Sequence, residues 1–276
     1  MTLRFAYNTN GTASHRLDDA LVLMAEAGYL GVALTLDHQH FDPFAPDWDA
    51  RAQRLGRRLT ELGLGSVIET GARYLLDFRQ KHEPTLVTAN PEGRGRRVDF
   101  LKRAIDIGAI LGSEAVSFWA GVPKPDVPPD DARAWLRDGL AVVAEHAGVA
   151  GLTAALEPEP GMLVETVDDW AALAAGLPGL SLALDAGHCL VTNERDPAAA
   201  VREFAGRIGT VSIEDMRRGE HVHLAFGEGD MDVPGVLDAL EETGFGGLVC
   251  VELSRDSHRA DTMIGQAMRY LASCRG

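Results

Sequence analysis

The chain has 276 residues, room for one large domain or two small ones, and its 46 % hydrophobic and 24 % charged content is that of a globular protein with a substantial core. Twenty-six Lys and Arg against 41 Asp and Glu leave a net charge of −15; this field repels polyanions, so a nucleic-acid partner is not expected and small, weakly charged ligands are. No apolar run approaches the roughly 20 residues that span a membrane, and three cysteines without metal-type spacing, after an N-terminus with no secretory pattern, lead to the expectation of a reducing, cytoplasmic location.

Residues 3–7 predict a first strand, 8–11 a turn, and Ser14 the N-cap of a helix to about 27, closed by Gly28. Strand two covers 31–36 and runs into Asp37, His38 and His40. A helix over 48–62 is stopped by Gly63 and Gly65, and strand three, 66–70, carries Glu69 at its tip. The polar segment 71–97 lacks periodicity. Segments this long in compact domains are functional or disordered, and this one, with Arg73, Lys81, His82 and Pro84, is expected to cover a substrate, the alternative being a solvated insertion.

A helix over 98–111 ends at Gly112, strand four covers 113–119, and the proline-rich loop 121–129 leads to a helix capped by Asp130 or Asp131 and running to about 147. Strand five, 151–157, ends in Glu157, and Thr166 caps a helix to 175. The apolar run 180–185 lies between Pro178-Gly179 and Ala186-Gly187. Those breakers make it a short buried strand that delivers Asp185 and, after a small turn, His188. Pro197 suits the first turn of a helix to 205. Strand seven, 208–213, leads into Glu214-Asp215 and a loop holding His221 and His223. A helix from Pro234 to 243, strand eight over 247–252 ending in Glu252, and a helix over 257–272 complete the chain.

Eight strand–helix pairs in strict alternation predict a parallel sheet covered by helices. At this length the fold class is α/β, a closed (β/α)8 TIM barrel forming a single domain over 1–276. No glycine-rich phosphate fingerprint follows strand one, which weighs against an open dinucleotide-binding sheet.

In such a barrel the C-terminal strand ends converge on one face. Glu69, Glu157, Asp185 and Glu252 close four different strands, and a histidine pair follows a fifth. Like charges crowded into one partly buried cavity repel, so protons, arginines or a divalent cation must compensate. With His188, His221 and His223 nearby, a divalent metal ion is expected, and mixed carboxylate and imidazole donors suit Zn²⁺ or Mn²⁺.

The motifs Ala155-Leu-Glu157, Leu184-Asp185-Ala-Gly-His188, His221-Val-His223-Leu-Ala-Phe-Gly-Glu-Gly229 and Val251-Glu252-Leu, in that order, resemble the xylose isomerase-like TIM-barrel superfamily of sugar-phosphate isomerases and epimerases. The resemblance implies a metal held by Glu157, Asp185 and Glu252 together with a histidine from strand seven. This chain departs from the pattern there, with Ser212 in the histidine's place. Serine is a poor ligand, so His223 is taken as the fourth, with His188 a substrate contact or alternative ligand and Glu159 a loop wall.

The resemblance further implies an isomerase or epimerase acting on a sugar or keto-sugar through an enediolate. Glu157 and Glu252 are then the catalytic proton carriers, and His188, His221, Glu69, Arg73 and His82 contact substrate. A lyase or dehydratase on an oxidised sugar or inositol, and a non-catalytic sugar- or metal-binding barrel, are the alternatives. A DNA-repair endonuclease fits poorly, because the strand tips that would need histidines there read Glu69 and Trp119. The expected partner is a small carbohydrate, with neither nucleic acid nor membrane, and homo-oligomerisation is compatible with this reading.

Overall fold

The structure is a computed structural model that describes residues 2–275. Eight parallel strands close into a barrel: β1 (Arg4–Asn8), β2 (Gly31–Thr35), β3 (Gly65–Glu69), β4 (Ala115–Trp119), β5 (Thr153–Glu157), β6 (Leu180–Asp185), β7 (Ile208–Ile213) and, last in the chain, β10 (Leu248–Val251), which pairs with both β1 and β7. Between β7 and β10, β8 (Asp215–Arg217) and β9 (Glu220–Leu224) form a separate two-stranded antiparallel sheet. The expected TIM barrel is therefore present.

The helices alternate with the strands: α1 (Leu17–Ala27), α2 (Trp48–Leu62), α3 (Pro91–Leu111), α4 (Pro129–Ala150), α5 (Val167–Ala174), α6 (Ala186–Val191), α7 (Pro197–Glu203), α8 (Val233–Glu242) and α9 (Ala260–Ser273). Short 3₁₀ turns at Thr9–Thr12 and Ser254–Arg259 follow β1 and β10. Gly28, Gly63, Gly112 and Gly151 end the first four helices with positive φ, a left-handed cap that glycine takes without steric cost. No helix of the described residues is long and apolar enough to cross a membrane.

Strand parity organises the interior. Side chains alternate across a strand, so every second residue of each strand points into the barrel. Ala6, Ala33, Val67, Ala115, Leu248 and Cys250 form a small apolar cluster, distinct from the large core in which the outward residues meet the helices. Continuing the same parity towards the C-terminal ends gives Asn8, Glu69, Glu157, Asp185, Ser212 and Glu252. The barrel is thus plugged with small apolar groups below and opens onto polar groups above.

Several boundaries differ from expectation. The helix expected from 98 begins at Pro91, because Asn90 caps it by accepting from the Glu92 N–H and proline fits the first turn. Ser14 is not a cap: α1 starts after Arg16 without a side-chain cap. Likewise Asp130 and Asp131 lie in the first turn of α4 behind Pro128, where they complement the helix dipole. The expected loop after β7 is the β8–β9 sheet, and the short helix α6 starts directly on Asp185.

Candidate active site and metal centre

A cavity of about 460 Å³ opens at the C-terminal mouth of the barrel, lined among others by Glu69, Glu157, Glu159, His188, His221 and Glu252. Arg73, Lys81, His82 and His223 line it too. Beneath lies a hollow of about 10 Å³, bounded by Glu69, Glu157, Asp185 and Glu252 with Ser212 on the β7 side. That is close to the smallest space that holds a water-sized sphere, about 10–15 Å³.

Two of these acids are fixed by hydrogen bonds from their neighbours. Asp185, ending β6, caps α6: its Oδ1 accepts from the His188 N–H at 3.1 Å, while Oδ2 is buried without a partner. Glu252 accepts from Asn10 Nδ2 at 2.8 Å and Asn8 Nδ2 at 3.4 Å. Asn8 is fixed in turn, its Oδ1 accepting from Thr35 Oγ1 at 2.9 Å and the Asn10 N–H at 3.0 Å. The acid closing the last barrel strand is thereby positioned by the first two.

Burial and mutual repulsion shape the titration of the cluster. Burial, then the nearby Glu252, raises the Glu69 carboxyl to about 7. Glu157 is pushed well above the carboxylate range by burial and by Glu159, Asp185, Glu252 and Glu69. For His188, burial disfavours the cation, but Asp185 and Glu159 outweigh it and the net direction is up. His221 is driven down to about 4, by burial and then by His188.

The imidazoles are arranged as ligands commonly are. His188 Nδ1 lies 2.9 Å from the Pro158 carbonyl, which can only accept, so Nδ1 carries the proton and Nε2 faces inward. A histidine that donates one ring N–H to a carbonyl and offers the other nitrogen is the usual metal-bound arrangement. That Nε2 stands 3.2 Å from His221 Nε2 and 3.6 Å from Asp185 Oδ2. Two triads among the described residues have ligand atoms all within 4.8 Å of one another: Glu157–Asp185–His188 and Glu159–His188–His221. An orphaned Asp185 oxygen, several facing carboxylates and an inward imidazole nitrogen are the donor set a divalent cation takes. The residues present fit such an ion.

Glu157 and Asp185, expected as ligands, come together. Glu252 and His223 line the same cavity but belong to neither triad, whereas His188, expected first as a substrate contact, belongs to both. Ser212 pairs in register with Asp185 across β6 and β7 and faces the hollow, where the family histidine would stand.

The segment from Gly71 to Asn90 does border the cavity. His82 Nδ1 meets the Gly71 carbonyl at 2.8 Å, and its ring stands edge-on to Trp119 at 5.2 Å between centroids. Ala72, Arg73 and His82 adopt positive φ, a conformation that costs other residues than glycine of order 1–3 kcal/mol and clusters at ligand clamps.

Four residues in or around the C-terminal end of the barrel were not anticipated from sequence. Asn8 and Asn10 read as ordinary turn formers. Arg97 sits on the inner side of α3, fully buried, bonded to the Thr70 carbonyl at 3.1 Å and stacked 4.3 Å from the Trp119 ring centroid. Burial pulls its pKa to about 10 although Glu69 and Glu83 oppose this. Glu214, just past β7, is fully buried with both carboxyl oxygens unpartnered. A clue existed only in its parity, which continues Thr210 and Ser212.

The family model described as xylose isomerase-like TIM barrel matches residues 21–274, and the chain belongs to that family. Within it, the chain is similar to the L-ribulose 3-epimerase of Mesorhizobium japonicum, with 27 % identity over 245 residues, covering 85 % of this chain and 74 % of the relative. Two solved structures share the fold: the IolI protein with a bound zinc atom, at a TM-score of 0.77, 17 % identity and coverage of 99 % and 96 %, and a D-allulose 3-epimerase from Methylomonas sp. in complex with D-allulose, at 0.75, 19 %, 98 % and 96 %. The expectation of an isomerase or epimerase agrees with the names these epimerases carry.

Proposed function

We propose that this protein is a divalent-metal-dependent epimerase of a small ketose, moving a proton at the carbon beside the carbonyl. The observation that carries the reading is the placement of Glu157 at the end of β5 and Glu252 just past β10, strands three apart around an eight-stranded circuit, both lining one cavity. Carboxylates on two sides of a bound sugar can remove a proton from one face and deliver one to the other, which inverts the carbon between them.

Glu157, Asp185 and Glu252, with His188 or His223, are the residues that would hold the ion. When bound, it supplies Lewis-acid polarisation of the substrate carbonyl and adjacent hydroxyl. Glu157 suits proton transfer because burial among other acids raises its proton affinity above that of an ordinary carboxylate. Glu252 is kept in one orientation by Asn8 and Asn10, so a proton leaves or arrives at a fixed place. His188, anchored on the Pro158 carbonyl, directs Nε2 at substrate oxygen or metal. Arg73, Lys81 and His82 close the outer side and bind hydroxyls.

The similarity to sugar 3-epimerases favours a ketose epimerised at the third carbon over an aldose–ketose isomerisation. The test is a panel of free ketoses in D₂O with metal-supplemented protein, read by NMR. The expected result is conversion to the 3-epimer with one solvent deuterium at that carbon. Turnover without deuterium would rule out proton transfer with solvent-exchangeable acids, and water or an acid group lost from the product would favour the lyase alternative.

A further inference from the structure

We infer that Glu214 is a metal ligand of this chain, supplying from the end of β7 the donor that Ser212 cannot. The inference rests on the metal-binding reading above and concerns which residue completes it.

Three observations converge on Glu214. Its side chain is completely buried, yet no hydrogen-bond donor meets either carboxyl oxygen, and a buried acid left so is costly unless a proton or a cation meets it. It lies within hydrogen-bonding reach of Asp185, whose buried Oδ2 likewise meets no donor, so the two carboxyl groups must share either a proton or a cation. Space is made for it: a Cβ added to Gly187 would fall 2.5 Å from Glu214 Oε1 and 2.8 Å from Met216 Cγ. Gly187 is not among the glycines with positive φ, so no backbone conformation demands a glycine there; the room beside the carboxylate does.

Among the described residues no cationic side chain forms an ion pair with Glu214, and the strongest charged influences on it are Asp185, Glu252 and Glu157, all acids. The neighbouring Asp215 differs: its oxygens accept from the Gly227 and Met231 N–H groups at 2.8 and 3.0 Å, pinning the loop after β9. Glu214 performs no such task. It follows Ser212 by two positions, just past the end of β7, and so continues that strand's alternation. A glutamate is long enough to serve from there where the serine is too short. An oxygen donor in place of imidazole would also shift preference towards harder ions such as Mn²⁺.

The test uses Zn²⁺ as the probe on the full chain. Isothermal titration is compared for wild type, Glu214→Gln and the double variant Ser212→His with Glu214→Gln, and a crystal structure of the zinc-loaded wild type is determined. Losing a direct ligand costs at least what losing an outer partner does, so Glu214→Gln is expected to bind Zn²⁺ more than about tenfold more weakly. The double variant is expected to recover most of that loss. In the crystal a Glu214 oxygen is expected at bonding distance, about 2.0–2.2 Å. A loss below tenfold, or a zinc with both Glu214 oxygens beyond bonding distance, overturns the inference and makes Glu214 a protonated hydrogen-bond donor to Asp185. The crystal result does not depend on the variants folding. Wild type that takes up no Zn²⁺ overturns the metal-binding reading itself, a failure distinct from zinc held equally by both proteins.

Discussion

Asn10, in the turn after the first strand, donates to the carboxylate of Glu252, past the end of the last barrel strand, at 2.8 Å. This bond joins positions 242 residues apart at the seam where the barrel closes. Hydrogen bonds to charged groups contribute about 1.5–3 kcal/mol. Asn10→Ala should therefore lower kcat by roughly 10- to 100-fold, at about 1.4 kcal/mol per tenfold, without abolishing the fold. Steady-state kinetics with circular dichroism check this; an unchanged kcat would mean that Glu252 needs no such hold.

The two proton carriers should be separable by isotope. Glu157→Gln and Glu252→Gln are each expected to reduce epimerisation by about 10²- to 10⁴-fold, the span of general acid–base catalysis. Starting from one epimer, the variant that keeps the abstracting acid should still wash its carbon-bound proton into D₂O without inverting the centre. From the other epimer the roles should reverse. Equal exchange by both variants, from both epimers, would contradict a two-sided mechanism.

The crowded acids make the metal-free protein pH-sensitive in a defined direction. Burial and Glu252 raise the Glu69 carboxyl from an ordinary 4.5 to about 7, and burial among neighbouring acids raises Glu157 as well. Between those values the folded state holds more protons than the unfolded, so this contribution is fully present below about 4.5 and is lost as pH rises through about 7. Without metal, Tm should fall from pH 5 to pH 8, and Glu69→Gln should flatten the slope. At pH 7.5, metal at a hundred times its Kd adds about 2.7 kcal/mol, a rise in Tm of roughly 5–10 °C for a chain of this size. A Tm that climbs with pH in metal-free protein would contradict the electrostatic picture.

The segment over the mouth should act in binding. Arg73 and His82 line the cavity from residues with positive φ, and His82 leans on Trp119. Arg73→Ala and His82→Ala are expected to raise KM by about tenfold with kcat changed less, the signature of uniform binding. A fall in kcat at constant KM would instead place these side chains in the chemical step.

Much of this was legible because strand parity and alternation are periodic signals. Short apolar runs ending in Glu69, Glu157, Asp185 and Glu252 announced both the barrel and the place where the acids meet. Residues whose role depends on long-range contacts were not legible. Asn8 and Asn10 have turn-forming composition, and nothing local points to Glu252. Residues 91–97 contain two glycines and no apolar stripe, so they read as loop; the Asn90 cap and the contacts of Arg97 with Thr70 and Trp119 accompany a helix there. Glu214 had no role from sequence beyond following strand seven, since only the assembled β6–α6 corner shows that Gly187 leaves it a buried place.

The claim on which the rest turns is that Glu157, Asp185 and Glu252, from three strands, serve one divalent cation. The direct measurement is titration of metal-stripped protein with Mn²⁺ or Zn²⁺ by calorimetry, wild type beside Asp185→Asn. The predicted result is one ion per chain for wild type and binding weakened by more than about tenfold in the variant. No binding by wild type, or binding that Asp185→Asn leaves unchanged, would contradict it.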